Sequence, residues 1–259
     1  MAETSGAAHA IDVQDVTKRF GTAPDGVVAV EDISFSVGQN EFVSIVGPSG
    51  CGKSTMLRLI ADLLPPTSGS ITVAGQTARE ARQARAIGVV FQNPVLYAWR
   101  SVRRNVELPL EVVGVGRTER RRRSTEMLDL VALQDFARKS PWQLSGGMQQ
   151  RVAIARALSF NPDILLMDEP FGALDEITRE RMNAELQRIW ETTHTTILFI
   201  THSIPEAVFL SNRVLVMSPR PGRIVLDRHI DLAHPRNEQT REDERFFRLV
   251  NEIRAGLRE

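Results

Sequence analysis

The chain carries a single cysteine, Cys51, in 259 residues, so it can form no intramolecular disulfide and suits a reducing compartment. It has no surplus of either charge, because 32 basic residues offset 32 acidic ones. No overall field draws it to nucleic acid or to an anionic membrane surface, and no nucleic-acid partner is expected. No apolar run approaches the roughly 18–20 residues that a membrane-crossing helix needs. Residues 1–10 are small and polar, without the apolar centre of a secretory leader. Any membrane association is therefore expected to come through a partner. What is present is ordinary globular composition, 42% hydrophobic and 25% charged. That is enough for one large core, or for a domain with an inserted subdomain. The densest basic stretch, Arg117 to Arg123, is interrupted only by Thr118 and Glu119 and reads as a solvated helix face.

Apolar residues at Ile11, Val13 and Val16 follow a strand-like pattern, as do Ile33, Phe35 and Val37 after a loop at Gly21 to Gly26. Phe42 to Val46 is a short apolar strand of the buried parallel type. A glycine-rich loop and a helix over Lys53 to Leu64 follow, with Pro65-Pro66 as the stop. Ser70 to Ala74 is a further strand. From Asn93 to Ser159 helix formers dominate. Strands then return at Ile164–Met167, Thr196–Ile200 and Val214–Met217, with a helix over Ile177 to Trp190. This alternation on both sides of a helical stretch predicts an α/β fold, a parallel-sheet core with an inserted helical subdomain. The divisions are 11–92 and 160–230 for the core, 93–159 for the helical part and 231–259 for a C-terminal helical segment packing Phe246, Phe247, Leu249 and Val250.

Gly47-Pro48-Ser49-Gly50-Cys51-Gly52-Lys53-Ser54 fits G-x-x-x-x-G-K-[ST] in full and lies between an apolar strand and a helix. Glycines let successive N–H groups face one anion, and the helix N-terminus adds positive charge. Lys53 can bridge β- and γ-phosphates, and the Ser54 hydroxyl can ligate Mg²⁺, with Thr55 next in the cradle. Cys51 reads as a small side chain at a variable position; the alternative is a reactive thiol that ATP would shield.

Ile164 to Met167 deliver Asp168 and Glu169 to the carboxyl edge of the sheet, where ligands bind in open α/β folds. Asp168 can hold the Mg²⁺ shell, and Glu169 can polarise an attacking water. Gln92 and His202 also end apolar runs and would reach the same edge. His202 could hydrogen-bond a γ-phosphate, and Gln92 could sense Mg²⁺ or water.

Leu144-Ser145-Gly146-Gly147-Met148-Gln149-Gln150-Arg151 resembles the signature motif of ABC ATPases. With the P-loop, Gln92, Asp168-Glu169, the turn at Ala173-Leu174-Asp175 and His202, it matches that family's motif set in order, over residues 11 to 227. Ser145, Gly146 and Gly147 precede a helix and form a second anion-receptive N-terminus. The resemblance implies a P-loop NTPase core of RecA-like type with an N-terminal antiparallel β portion. It implies an ATPase that uses ATP and Mg²⁺ as a head-to-tail homodimer. Each nucleotide would lie between one P-loop and the partner's signature serine, with Asp175 along the seam. Phe20 is similar to the aromatic that stacks on adenine. Residues Pro94 to Arg103, with Tyr97 and Trp99, occupy the family's contact region for the permease; Trp99 reads equally well as a core aromatic.

Tyr97-Ala98-Trp99-Arg100, Pro141-Trp142 and Ser218-Pro219-Arg220-Pro221-Gly222-Arg223-Ile224 resemble the nitrate, sulfonate and taurine importer branch. That branch implies membrane permease subunits, a solute-binding protein in the same system, and a place on the cytoplasmic face of the inner membrane. With only a short extension past the core, no sizeable regulatory domain is expected. An exporter or lipid-trafficking ATPase, or an ABC ATPase outside transport, would share the same core.

Overall fold

A computed structural model describes residues 9–21 and 26–257. The first ten residues and the Gly21–Gly26 loop of the sequence reading lie largely outside them. Two sheets organise the chain. Strands β1 (Ile11–Phe20), β2 (Val27–Val37), β4 (Ser68–Val73) and β5 (Gln76–Thr77) form an antiparallel sheet in the order β2-β1-β4-β5. Strands β3 (Phe42–Val46), β6 (Ile87–Val90), β7 (Ile164–Asp168), β8 (Thr196–Ile200), β9 (Arg213–Met217) and β10 (Ile224–His229) form the second, ordered β10-β9-β3-β8-β7-β6. Its members pair in parallel except for the antiparallel edge strand β10.

The central strands are buried throughout because both faces are covered, and the period of two sends alternate residues into two cores. Val43, Ile45, Ile164, Leu166, Leu198 and Ile200 pack toward α1 (Lys53–Ile60) and the antiparallel sheet. Phe42, Val46, Leu165, Met167, Ile197 and Phe199 pack toward the helices on the other side. These include α3 (Val102–Val112), α4 (Arg117–Leu130) and α5 (Gly146–Leu158), the inserted helical portion, which has no strand among the described residues. Helices α6 (Glu176–Thr193), α7 (Ile204–Leu210) and the C-terminal α8 (Glu238–Glu242) and α9 (Glu244–Gly256) complete that layer.

Several elements differ from the sequence reading. Helix α1 stops at Ile60, before the prolines, because Asp62 turns left-handed (φ 52°). Strand β4 begins two residues early, at Ser68. Helix α2 (Ala78–Ala84) and strand β10 were not anticipated. α2 buries only Ala81, so it carries no apolar stripe, and Thr77 with Glu80 starts it through a capping box. In α9, Phe246, Leu249, Val250 and Ile253 are buried, whereas Phe247 is exposed.

The C-terminal segment is tied to the core by the buried Arg236 and the half-buried His234. Arg236 donates from Nη1 to the carbonyls of Val208, Phe209 and Ser211, which caps the end of α7. His234 stacks near Trp190 (centroids 5.0 Å) with its ring nitrogens against Gln187 and Asn212 at 3.0 and 3.3 Å. Burial first, and then Arg236, pushes the His234 pKa from 6.5 down to about 4. The folded ring stays neutral while the unfolded ring takes up a proton, so stability falls as pH drops through the window from 6.5 to about 4. The thermal midpoint should therefore fall between about pH 7 and about pH 5, and His234→Gln should flatten that fall. An equal fall in the variant would assign the effect elsewhere.

Candidate functional site

Strand β3 ends at Val46 and α1 begins at Lys53, so Gly47 to Gly52 bridge a buried strand and a helix N-terminus. Gly52 caps α1 at φ 109° with no side-chain hydrogen bond, which leaves the first N–H groups of the helix open to an anion. A Cβ there would stand 2.6 Å from Val30 Cγ1 and 2.8 Å from the Ala29 carbonyl. Lys53 is buried, and its Nζ donates to the carbonyls of Gly47 and Pro48 at 2.8 and 3.1 Å. Its third donor meets only the weak acceptor Cys51 Sγ at 3.9 Å, a contact that a ligand oxygen in the cleft would replace.

The strand order sets what lies beside Lys53. β8 is next to β3, β7 next to β8, and β6 last, so His202, Asp168-Glu169 and Gln92 follow one another along the carboxyl edge. Ser54 Oγ donates to Asp168 Oδ1 at 2.8 Å, and His202 Nδ1 lies 3.2 Å from Glu169 Oε2. Glu169 has a left-handed backbone (φ 44°), uncommon outside glycine, and its N–H donates to the Ile200 carbonyl on β8. Gln92 is exposed, with its Nε2 beside Gly172, close to Glu169.

Burial pushes the Asp168 pKa upward, and the neighbouring Glu169 carboxylate adds to this. The Ser54 hydrogen bond, Arg58 and Lys53 pull the other way. A half-buried carboxylate beside a hydroxyl, with its ionised form under-compensated, is a hard-oxygen donor pair that fits a small divalent cation.

A cleft of about 470 Å³ is walled by Phe20, Val27, Ala29, Ser49, Gly50, Gly52, Lys53, Ser54, Thr55, Glu169 and Arg220; Gln92, Asp168 and His202 do not line it, and the last two connect to it through Ser54 and Glu169. Phe20 is exposed and its ring lies 5.3 Å from Lys18 Nζ. Gly47, Pro48 and Cys51 belong to the loop without lining the cleft. Cys51 is 1% exposed, with Sγ packed under Gly47, so the reading as a reactive thiol gives way to that of a small filler.

Sequence reasoning missed three contributors. Arg220 reaches the loop, donating from Nη2 to the Gly50 carbonyl at 3.2 Å. Gly222 lies against Cys51 so closely that a Cβ would meet its carbonyl oxygen at 2.0 Å. Glu206, buried beneath His202, accepts a hydrogen bond from Thr201, and its pKa is pushed upward by that burial. The proline- and glycine-punctuated stretch from Ser218 to Arg223 was the only available signal for the first two.

Ser145, Gly146, Gly147 and Asp175 do not join this cleft. Ser145 caps α5, accepting the Met148 N–H, and Asp175 caps α6, accepting the Thr178 N–H at 2.9 Å. The two helix starts pack together, since a Cβ on Gly147 would lie 3.0 Å from Thr178. One chain thus presents an anion-receptive cleft and, apart from it, an exposed Ser145-Gly146 helix N-terminus.

The fold and this cleft define a P-loop nucleoside-triphosphatase. A family profile described as ABC transporter matches residues 30–172. The taurine import ATP-binding protein TauB of Rhizobium johnstonii is 50% identical over 236 residues, covering 89% of each chain. The nitrate import ATP-binding protein NrtD of Synechocystis is 44% identical over 256 residues, covering 96% of this chain and 95% of its own. Among solved structures, a dimeric ATP-binding cassette in a post-hydrolysis state with ADP and Pi superposes with TM-score 0.74 at 36% identity, covering 86% of this chain and all of that one. The chain belongs to the ABC transporter family and is an ATPase of that family.

The loop's geometry leaves no room at Gly52. Gly52→Ala should cost at least about 2 kcal/mol through backbone strain and collision with β2, and thermal unfolding reads it directly. An unchanged midpoint would contradict the close packing described.

Proposed function

We propose that this chain is the ATP-hydrolysing subunit of an importer for small solutes of the nitrate, sulfonate or taurine type. The observation that carries the chemistry is the row at one sheet edge in which Lys53, Ser54 and Glu169 line a cleft with an uncapped helix N-terminus, with Asp168 bonded to Ser54 and His202 against Glu169 behind them. The taurine- and nitrate-import names of the relatives support the transport reading.

In this reading Phe20 stacks on the adenine, and the Gly47–Gly52 loop and Lys53 hold the phosphates. Ser54 and Asp168, with Gln92, would hold Mg²⁺, which when bound neutralises charge on the phosphate oxygens. The Glu169 carboxylate orients the attacking water and accepts its proton at Oε. His202, already against Glu169 Oε2, positions that carboxylate and meets the γ-phosphate.

The exposed Ser145-Gly146 helix start complements a phosphate held by another copy, so two chains head to tail bury two nucleotides. The dimeric, ADP- and Pi-bound structure of a related ATP-binding cassette supports the pairing of two chains.

A groove of about 500 Å³ beside the Gln92 loop is the proposed seat of the permease; its wall includes Val89, Phe91, Val95, Tyr97, Leu108 and Val112. Val95, Trp99 and Val112 are 62%, 78% and 78% exposed, a patch that marks an interface and gives Trp99 a surface role. The loop is held out by design: Gln150 donates to the Phe91 carbonyl, Arg156 to those of Pro94 and Val95, and buried Asn105 braces Tyr97, Arg100 and Ser101. The chain would reach the cytoplasmic face of the membrane through this groove, with a solute-binding protein delivering cargo on the far side. Among the described residues no helix is long and apolar enough to cross a membrane.

Glu169→Gln should lower ATP turnover at least about 100-fold and accumulate an ATP-dependent dimer on size-exclusion chromatography. Turnover at the wild-type rate would remove Glu169 from the mechanism.

A further inference from the structure

The basic run in the helical portion is sorted by helix geometry into two unlike faces. On α4, Arg122 and Arg123 pair with Glu119, and Arg122 also with Glu126. Arg117, Arg120 and Arg121, spaced three and four apart, face the other way, into a cavity of about 590 Å³. Arg100, Arg103 and Arg104 at the start of α3 enter the same cavity, as does Arg138 from the loop ahead of the signature motif. Two carboxylates, Glu107 and Glu111, also line it. Seven guanidinium groups less two carboxylates leave five positive charges in one concavity, on a chain whose net charge is zero.

Three further observations show that the protein itself does not neutralise this charge. Arg100 pairs with Glu111 at 2.6 Å, but none of the other six arginines makes an ion pair among the described residues. The Nε atoms of Arg103 and Arg120 are buried without a hydrogen-bond partner among those residues. Helix α4 begins after Gly116 with no side-chain cap; the one acid of its first turn, Glu119, is taken up by Arg122 and Arg123 on the other face, while Arg117, Arg120 and Arg121 sit near the positive end of the helix dipole, where cations are disfavoured. The cavity's field is felt by its own acid: Arg100, and then Arg120 and Arg104, hold the Glu111 carboxyl below the usual carboxylate range. Crowded like charges, unpartnered N–H donors and an open helix N-terminus are jointly offset by one thing, a multivalent anion.

We propose that this cavity is a binding site for a phosphate-bearing polyanion, separate from the ATP cleft. Planar guanidinium forks match phosphate oxygens in pairs, and the space admits more than a single carboxylate. The phosphate can come from a free oligophosphate or from an anionic lipid headgroup.

The test uses the full chain with its ATP cleft saturated by a non-hydrolysable ATP analogue, comparing wild type with the double variant Arg104→Glu/Arg121→Glu. Both side chains are exposed, and an unchanged thermal midpoint verifies the fold. Inorganic tripolyphosphate is titrated by calorimetry, and vesicles of phosphatidylcholine with and without phosphatidylglycerol are tested by co-sedimentation. The expected result is wild-type binding that weakens at least about 10-fold in the variant and falls steeply with salt. Loss of tripolyphosphate binding identifies a free oligophosphate; loss confined to anionic vesicles identifies a headgroup. No binding by wild type to either probe, or equal binding by both proteins, overturns the proposal. If the double variant unfolds, Arg138→Gln alone is compared in the same way.

Discussion

Everything at the nucleotide cleft depends on how closely the backbone is allowed to approach itself around the Gly47–Gly52 loop. Gly52 lies against β2, Gly47 against Met217 at the end of β9, and Gly222 against Cys51, each where a Cβ would collide. The loop is clamped between the antiparallel sheet on one side and the turn after β9 on the other. That clamp keeps N–H groups aimed outward at the start of α1 without any side chain to satisfy them, and confines the Lys53 ammonium to its own loop's carbonyls. A loop free to relax would turn those donors inward and lose its affinity for phosphate.

The parallel sheet supplies the second half of the site. Because β8 and β7 lie between β3 and β6, four strand ends bring a lysine, a histidine, two carboxylates and a glutamine into one row. Alternation of buried residues between two cores locks each strand's register, so the polar residue after its last apolar position has one place to go. The left-handed backbone at Glu169 then turns that carboxylate toward His202. Strain at this residue is maintained by the rigid edge, as expected for a functional position.

Much of this was legible in the chain. Apolar runs such as Ile164–Met167 and Thr196–Ile200, short and bounded by polar residues, read as doubly covered strands, and the loop spelling Gly47 to Ser54 names its own chemistry. What was hidden is of two kinds. Some elements lack a hydrophobic pattern: α2 buries a single alanine, and β10 lies at a sheet edge with no fully buried residue. Other features depend on contacts between residues far apart in sequence. Arg220 meets Gly50 across 170 positions, and Gly222 fits under Cys51. The arginine run shows the limit most clearly, since its helical face was foreseeable but not the four arginines that other segments bring to it.

The account's central claim is that a complete site needs two chains, one giving the cleft and the other the helix start at Ser145. Cys51 is buried, so an introduced thiol meets little competition. In the Glu169→Gln background, a tagged chain bearing Ser145→Cys is mixed with an untagged chain bearing Ser49→Cys and treated with a short bifunctional maleimide. The account predicts a cross-linked pair of one tagged and one untagged chain that forms with Mg²⁺ and ATP and is absent without nucleotide. Failure to form that pair with ATP present, or equal yield without it, would contradict the two-chain site.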